Sequence, residues 1–157
     1  MENLLSNIDQ ASVEGKILES ASINIREFLE ANSNEFYIDV IQELFDKGLW
    51  EELNDRFYKK LSFGTGGLRG RTIGRNISDH EKGEGGPNER PQFSCVGTNM
   101  MNTFNLTRAT IGLVSYLNDW SKETSEEGPI KLVFCYDTRH FSKDFAELCS
   151  KVAADLG

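Results

Sequence analysis

The chain has 157 residues, a formal net charge of −8, 38% hydrophobic residues and 27% charged residues. That length suits one domain with a real core, and no stretch approaches the ~18 apolar residues of a membrane helix. A chain this acidic is a poor partner for nucleic acid, whose affinity comes largely from neutralised phosphates.

Residues 1–20 lack the basic start and apolar run of a secretory signal. Three cysteines, Cys95, Cys135 and Cys149, without CxxC spacing, read as reduced thiols of a cytoplasmic protein. Cys135 and Cys149 fall in apolar patterns and are expected to be buried. His80 and His140 do not pair with the cysteines, so no zinc site is expected.

Residues 1–60 carry 13 acidic and 6 basic side chains, a net of −7. From Ala11 to Leu29, Val13, Ile17, Ala21, Ile25 and Phe28 recur at helical spacing and predict one helix. Glu35 to Lys47 places Ile38, Ile41, Leu44 and Phe45 on one face, with Gly48 as its C-terminal stop. Leu49, Leu53 and Phe57 continue a short third helix. Charge on the outer face of such helices is solvation, so 1–60 reads as a helical preface without catalytic residues.

Residues 61–75, "LSFGTGGLRGRTIGR", hold five glycines and three arginines and no acidic residue. Residues 61–110 as a whole carry 4 acidic and 6 basic side chains, a net of +2. A glycine run lets backbone approach a ligand closely, and an arginine fork can hold a phosphate bidentately. The segment is neither a P-loop, because no lysine lies between Lys60 and Lys82, nor a dinucleotide fingerprint, because Arg69 stands at the third glycine. A plain turn explains the glycines; it does not explain Arg69, Arg71 and Arg75 without counter-charges. The local cluster points to a small anion.

Residues 76–92, "NISDHEKGEGGPNERPQ", are polar and rich in Gly and Pro, and read as a loop with His80 on its surface. "MMNTFNLTRATIGLVSYLNDW" predicts a helix whose apolar face, from Phe104 and Leu106 to Leu117 and Trp120, is wide enough to bury against a sheet. "IKLVFCY", residues 130–136, is apolar or aromatic at six of seven positions, the mark of a strand buried on both faces. "SKDFAELCSKVAADLG" follows as an amphipathic helix with Ser142 as candidate N-cap. Helix, strand, polar turn and helix make an α/β domain, where ligands collect beyond the carboxyl ends of strands. At that place stands "DTRH": Asp137 and Arg139 either pair with each other and cap local backbone, or brace a site near the Gly-rich segment.

Three landmarks in order over residues 61–157 resemble the α-D-phosphohexomutases, the phosphoglucomutase and phosphomannomutase family. "FGTGGLRG" is similar to the family's F-G-T-[SA]-G-x-R-G opening. "NMMNTFNLTRATIGLVSYL" is similar to the helix that follows it, and "FCYDTRHFSKDFAELCSKVAADLG" to its Y-D-x-R strand and helix. The resemblance implies a three-layer α/β/α first domain over 61–157, incomplete here and carrying a loop insertion at 76–92. It implies reversible phosphoryl transfer between C1 and C6 of a hexose phosphate through a phosphoserine enzyme, with Mg2+ as cofactor and a hexose bisphosphate as activator. Position by position, it makes Arg69 the catalytic arginine beside the phosphoserine. Thr65 and Gly66 shape the turn that presents it, and Asp137 and Arg139 support the serine loop.

Two departures qualify the carry-over. Met100 stands where the family has an arginine before "MN", and residues 1–157 hold no T-A-S-H-N-P serine loop. The metal ligands also lie outside these residues. The expectation is therefore the N-terminal part of an intramolecular phosphotransferase, inactive alone and self-associating through its open strand edge, with neither nucleic acid nor membrane as partner. The alternative is a naturally short, non-catalytic binding or interaction module, which the length of the open reading frame would separate from the first.

Overall fold

A computed structural model describes residues 1–32, 34–86, 88–124 and 128–157. It forms two compact units, Met1–Met101 and Asn102–Gly157. Residues 61–101 fasten onto the helices before them and fall within the first unit.

The first unit opens with four helices: α1 (Glu2–Val13), α2 (Glu19–Ala31), α3 (Glu35–Asp46) and α4 (Trp50–Phe57). The single helix expected over 11–29 is two. Gly15 at φ +74° turns the chain, Lys16 N donates to Ala11 O at 2.9 Å, and Asn54 of α4 clasps the turn through Leu18 N and Lys16 O. Val13 therefore ends α1 facing solvent, while Ile17 is buried. The stop at Gly48 (φ +65°) is as expected: Leu49 N reaches back to Leu44 O at 3.0 Å, closing a left-handed C-terminal turn. Leu4, Ile8, Ile25, Phe28, Val40, Ile41, Leu44, Leu53 and Phe57 form the core between these helices.

Beyond α4 comes an antiparallel pair, β1 (Phe63–Gly64) and β2 (Gly67–Leu68), with Phe63 opposite Leu68. A one-turn helix, α5 (Asp79–Lys82), follows, and residues 93–101 then run back beside α4 and the Gly-rich segment. The 76–92 segment is thus not a loose polar loop. Ser78 and Glu81 close a reciprocal capping box around α5, and both are buried.

The second unit is α6 (Thr103–Thr124), an extended stretch over 130–136, and α7 (Ser142–Asp155), with α6 packed on α7. Both helices fall where the apolar spacing puts them. The stretch 130–136 pairs with no strand among the described residues, and its expected burial on both faces is not met. Leu132 and Phe134 are half-buried, whereas Val133 is 86% exposed and Tyr136 is also exposed. Leu132 and Phe134 line a groove of about 290 Å³ with Val114, Leu117, Ala153 and Ala154, while Val133 on the opposite face is exposed. Cys135 accordingly is exposed, against expectation, and Cys149 is buried on α7 as expected. Ser142 does not cap α7; it is the first helical residue, preceded by Phe141 at φ +65°, and its hydroxyl accepts from Asp137 N at 3.0 Å.

No helix among the described residues is long and apolar enough to cross a membrane.

Candidate functional site

The Gly-rich hairpin gives Arg69 its position. Gly66, at φ +86°, takes the left-handed third position of the turn between β1 and β2, where a side chain would be strained. The turn leaves the Thr65 carbonyl pointing at Arg69, whose Nη2 donates to it at 2.7 Å. That bond is the one polar anchor seen for an otherwise exposed guanidinium, and no carboxylate pairs with it among the described residues. Thr65, Gly66 and Arg69 therefore form one local constellation. Arg75 is likewise exposed and without an acidic partner there.

Arg71 differs. It is half-buried and ion-paired with Asp55 on α4, so the absence of counter-charges expected for all three arginines holds for two. The pairing carboxylate comes from the helical preface, sixteen positions upstream, beyond the reach of a local charge count.

The backbone beneath these arginines is fastened on both sides. Met101 N donates to Arg71 O and Cys95 N to Thr72 O, each at 2.9 Å. Leu61 N donates to Thr98 O at 2.7 Å, and Asn99 N to Arg56 O at 2.9 Å. Gly70 is required by space: a Cβ there would stand 2.8 Å from Met101 N, a backbone atom that cannot move aside cheaply. Met100, where the family motif has an arginine, is buried, and its side chain lies 2.9 Å from where a Cβ on Gly97 would be. It packs; it does not present a charge.

Under this frame lies a group the sequence reading missed. Arg56 is fully buried, with Nε donating to Glu52 Oε1 at 2.8 Å and Nη1 to Glu81 Oε1 at 2.6 Å. Its Nη2 donates to Glu81 Oε2 at 3.1 Å and to Asn76 O at 2.7 Å. Val96 N and Ser78 N donate to the same Glu81 carboxylate. Burial opposes the charge on Arg56, but Glu81 and Glu52 outweigh it and raise its pKa above the ordinary value. Burial likewise opposes the Glu52 carboxylate, and Arg56 holds it below its usual range. Beside them, burial pushes the Cys95 thiol up to about 12, so it stays protonated near neutral pH and is no nucleophile. The available sequence signal was S-x-x-E at 78–81, which marks a helix start and hence an anchored segment.

His80, expected as an unheld surface residue, is held: its Nδ1 lies 2.7 Å from Glu43 Oε2 on α3. The same carboxylate accepts from Asp79 N at 2.7 Å and Lys47 Nζ at 2.6 Å. Burial opposes these contacts, yet they bring Glu43 down to about 2. The cluster docks α5 onto α3 and has no role in the Gly-rich hairpin.

In the second unit, Asp137 and Arg139 pair with each other. Arg139 Nε donates to Asp137 Oδ2 at 2.8 Å and Arg139 N to Oδ1 at 3.0 Å. Those bonds hold the Asp137 carboxyl down to about 2 although it is solvated. Of the two readings left open, mutual pairing is the one seen. Among the described residues no three His, Cys, Asp or Glu side chains converge to hold a metal ion.

Comparison with known proteins finds distant relatives named phosphoglucomutase. The chain is 27% identical over 116 residues to a phosphoglucomutase of Staphylococcus aureus strain RF122, covering 74% of this chain and 16% of that protein. It is 29% identical over 125 residues to the phosphoglucomutase of Staphylococcus epidermidis, covering 76% and 18%. With the enzyme of Staphylococcus aureus strain USA300 it shares 26% over 132 residues, covering 81% and 19%. The chain thus spans less than a fifth of the length of these relatives and contains a phosphoglucomutase-like region. No family model and no solved structure matches it.

Proposed function

We propose that this chain is the N-terminal part of a phosphohexomutase, an isomerase that moves a phosphoryl group between C1 and C6 of a glucose or mannose phosphate. In this reading α6, the 130–136 stretch and α7 begin a three-layer α/β/α domain, and the hairpin presents Arg69 to a phosphoryl group. The observation that carries it is the state of Arg69. Its guanidinium is oriented by one backbone carbonyl, carries no carboxylate, and stands exposed on a glycine hairpin inside the phosphoglucomutase-like region.

An arginine so placed suits phosphoryl transfer, where most of catalysis is positioning and stabilisation of developing charge on the transferred oxygens. Two of its N–H groups can face a phosphate while Nη2 keeps the Thr65 contact. Asp137 pairs with Arg139 in the turn before α7, where the pair would support the loop that carries the serine. The serine that carries the phosphoryl group, and the ligands for the magnesium that supplies further charge stabilisation, belong to parts of the enzyme outside these residues. The chain alone is then inactive toward hexose phosphates.

The test is Arg69→Ala in the enzyme that contains this region. Turnover of glucose 1-phosphate or mannose 1-phosphate should fall by about 10²–10³, the usual loss for one such contact. The melting temperature should barely move, because the side chain is exposed. Unchanged turnover overturns the reading.

A further inference from the structure

Glu52 and Arg56 lie on α4 and Glu81 on α5, and their side chains are essentially inaccessible to solvent. Buried ion pairs are weak stabilisers, since desolvation consumes most of their attraction, and an apolar cluster of equal volume often does as well. What an apolar cluster cannot do is hydrogen-bond a peptide that belongs to no ladder. Residues 74–76 are such a peptide. Asn76 O accepts from Arg56 Nη2 at 2.7 Å, and Asn76 N donates to Glu52 Oε2 at 3.3 Å. Gly74 seats directly on the pair: a Cβ there would fall 2.2 Å from Arg56 Nη2 and 2.6 Å from Glu52 Oε1. The residue between these two gripped positions is Arg75, exposed and without a carboxylate partner among the described residues. A fully buried charge network thus holds the peptide on either side of a solvent-facing cation.

We propose that the Glu52–Arg56–Glu81 network is a positioning device that fixes Arg75 as a second cation for the phosphate group that Arg69 meets. This rests on the reading of the Gly-rich segment as phosphate-binding. Glu81 ties the device to α5, so the 76–92 segment serves as its clip: Glu81 gathers Arg56, Ser78 N and Val96 N into one carboxylate. Arg75 would touch the ligand; Glu52, Arg56 and Glu81 act through it.

Inorganic phosphate and glucose 1-phosphate are the probes, titrated into the full chain while the arginine Nε–Hε signals of Arg69 and Arg75 are followed by NMR. Wild type should show both signals moving. Glu81→Gln and Gly74→Ala should each weaken binding about tenfold, the scale of loss when a contact group is displaced by a fraction of an ångström. Both should keep their helical circular dichroism at the working temperature, and Gly74→Ala leaves every charge in place should Glu81→Gln fail to fold. Asp9→Asn, which removes a distant ion pair with Arg26, is the control for mere destabilisation: it should lower the melting temperature and leave affinity alone. If wild type responds and both folded variants bind as tightly, the positioning role is overturned and the phosphate reading stands. If neither arginine signal moves in wild type, the phosphate reading and the inference built on it fall together.

Discussion

Residues 1–101 bury more apolar side chains than they expose, whereas residues 102–157 expose more than they bury. In the first unit Ala21, Ile25, Val40, Ile41, Leu44, Leu53 and Phe57 are wholly inaccessible. In the second the buried apolar residues are Val114, Phe141, Phe145 and Cys149, while Ile111, Leu113, Tyr116, Trp120, Val133 and Tyr136 face outward. Both units carry clear helical periodicity. Periodicity shows which face of a helix is apolar; what covers that face is set by elements far away in sequence. The first unit contains those elements and even encloses a charge network among them. The second leaves apolar side chains of α6 and of the 130–136 stretch exposed, beside the groove lined by Leu132 and Phe134.

The sharpest break of this contrast is to open the closed unit from inside. Arg56→Ala leaves the Glu52 and Glu81 carboxylates buried without their cation and orphans Asn76 O. Removing one member of a buried pair typically costs about 3–5 kcal/mol. Chemical denaturation should register that loss, and amide exchange should place it in residues 71–96 before it reaches α1 and α2. A change below about 1 kcal/mol would mean that water reaches the network and that the unit is less closed than its packing implies.

A smaller effect comes from the cluster that docks α5 on α3. Glu43 lies near pKa 2 in the folded chain against an ordinary 4.5. A depressed folded pKa gives stability that is complete above the ordinary value and is lost as the pH falls toward 2. His80, Lys47, Asp79 and, 4.0 Å from His80 Nε2, Asp39 are the charged or titratable groups around it. The contribution should be on the order of 2 kcal/mol, since one pKa unit corresponds to about 1.4 kcal/mol and the partners remain partly solvated. Urea denaturation between pH 5 and 2 should show the wild type losing this increment, and Glu43→Gln should flatten the slope. Equal slopes would place the acid sensitivity elsewhere.

What was legible in the sequence follows the same division. The helical spans of α3, α6 and α7 and the stop at Gly48 are local and stand where the spacing puts them, whereas Ile111, Leu113 and Trp120 of the α6 stripe, expected to bury against a sheet, face solvent. Thr65, Gly66 and Arg69 come from the motif resemblance, and the Thr65–Arg69 contact spans only five consecutive residues. The break at Gly15 was missed because Val13 and Ile17 keep helical spacing across it, and only the contact with Asn54 shows which side of the turn each occupies. Glu52 and Arg56 fall among the helix charges that the sequence assigns to solvation; Glu81, 25 positions beyond Arg56, joins them in a buried network. The arginine count likewise overlooked Asp55 as the partner of Arg71. The burial of 130–136 was inferred from composition, which describes what a strand can tolerate on each face and not what stands there.

The smallest expected effect on stability lies at Val133, and it tests the open side of the comparison most directly. Val133 is exposed in an extended stretch with no ladder partner among the described residues, between Leu132 and Phe134, which turn toward the helices. Replacing it with lysine removes no contact within the chain, so stability should change by less than about 0.5 kcal/mol. Association should change more. An extended apolar edge pairs readily with another copy, and a lysine on such an edge opposes that pairing through its charge and the cost of desolvating it. The mass of the wild-type chain by light scattering should therefore rise with concentration above the monomer's 17.7 kDa, and Val133→Lys should hold it near that value. A net charge of −8 in the wild type, one unit less negative in Val133→Lys, keeps either form soluble while weakening the contact. Salt should accordingly raise the wild-type mass by screening the repulsion between copies. A wild-type mass that stays constant across concentration and salt would show that the 130–136 edge is not sticky, and that exposure of apolar side chains in this unit does not by itself create an interface.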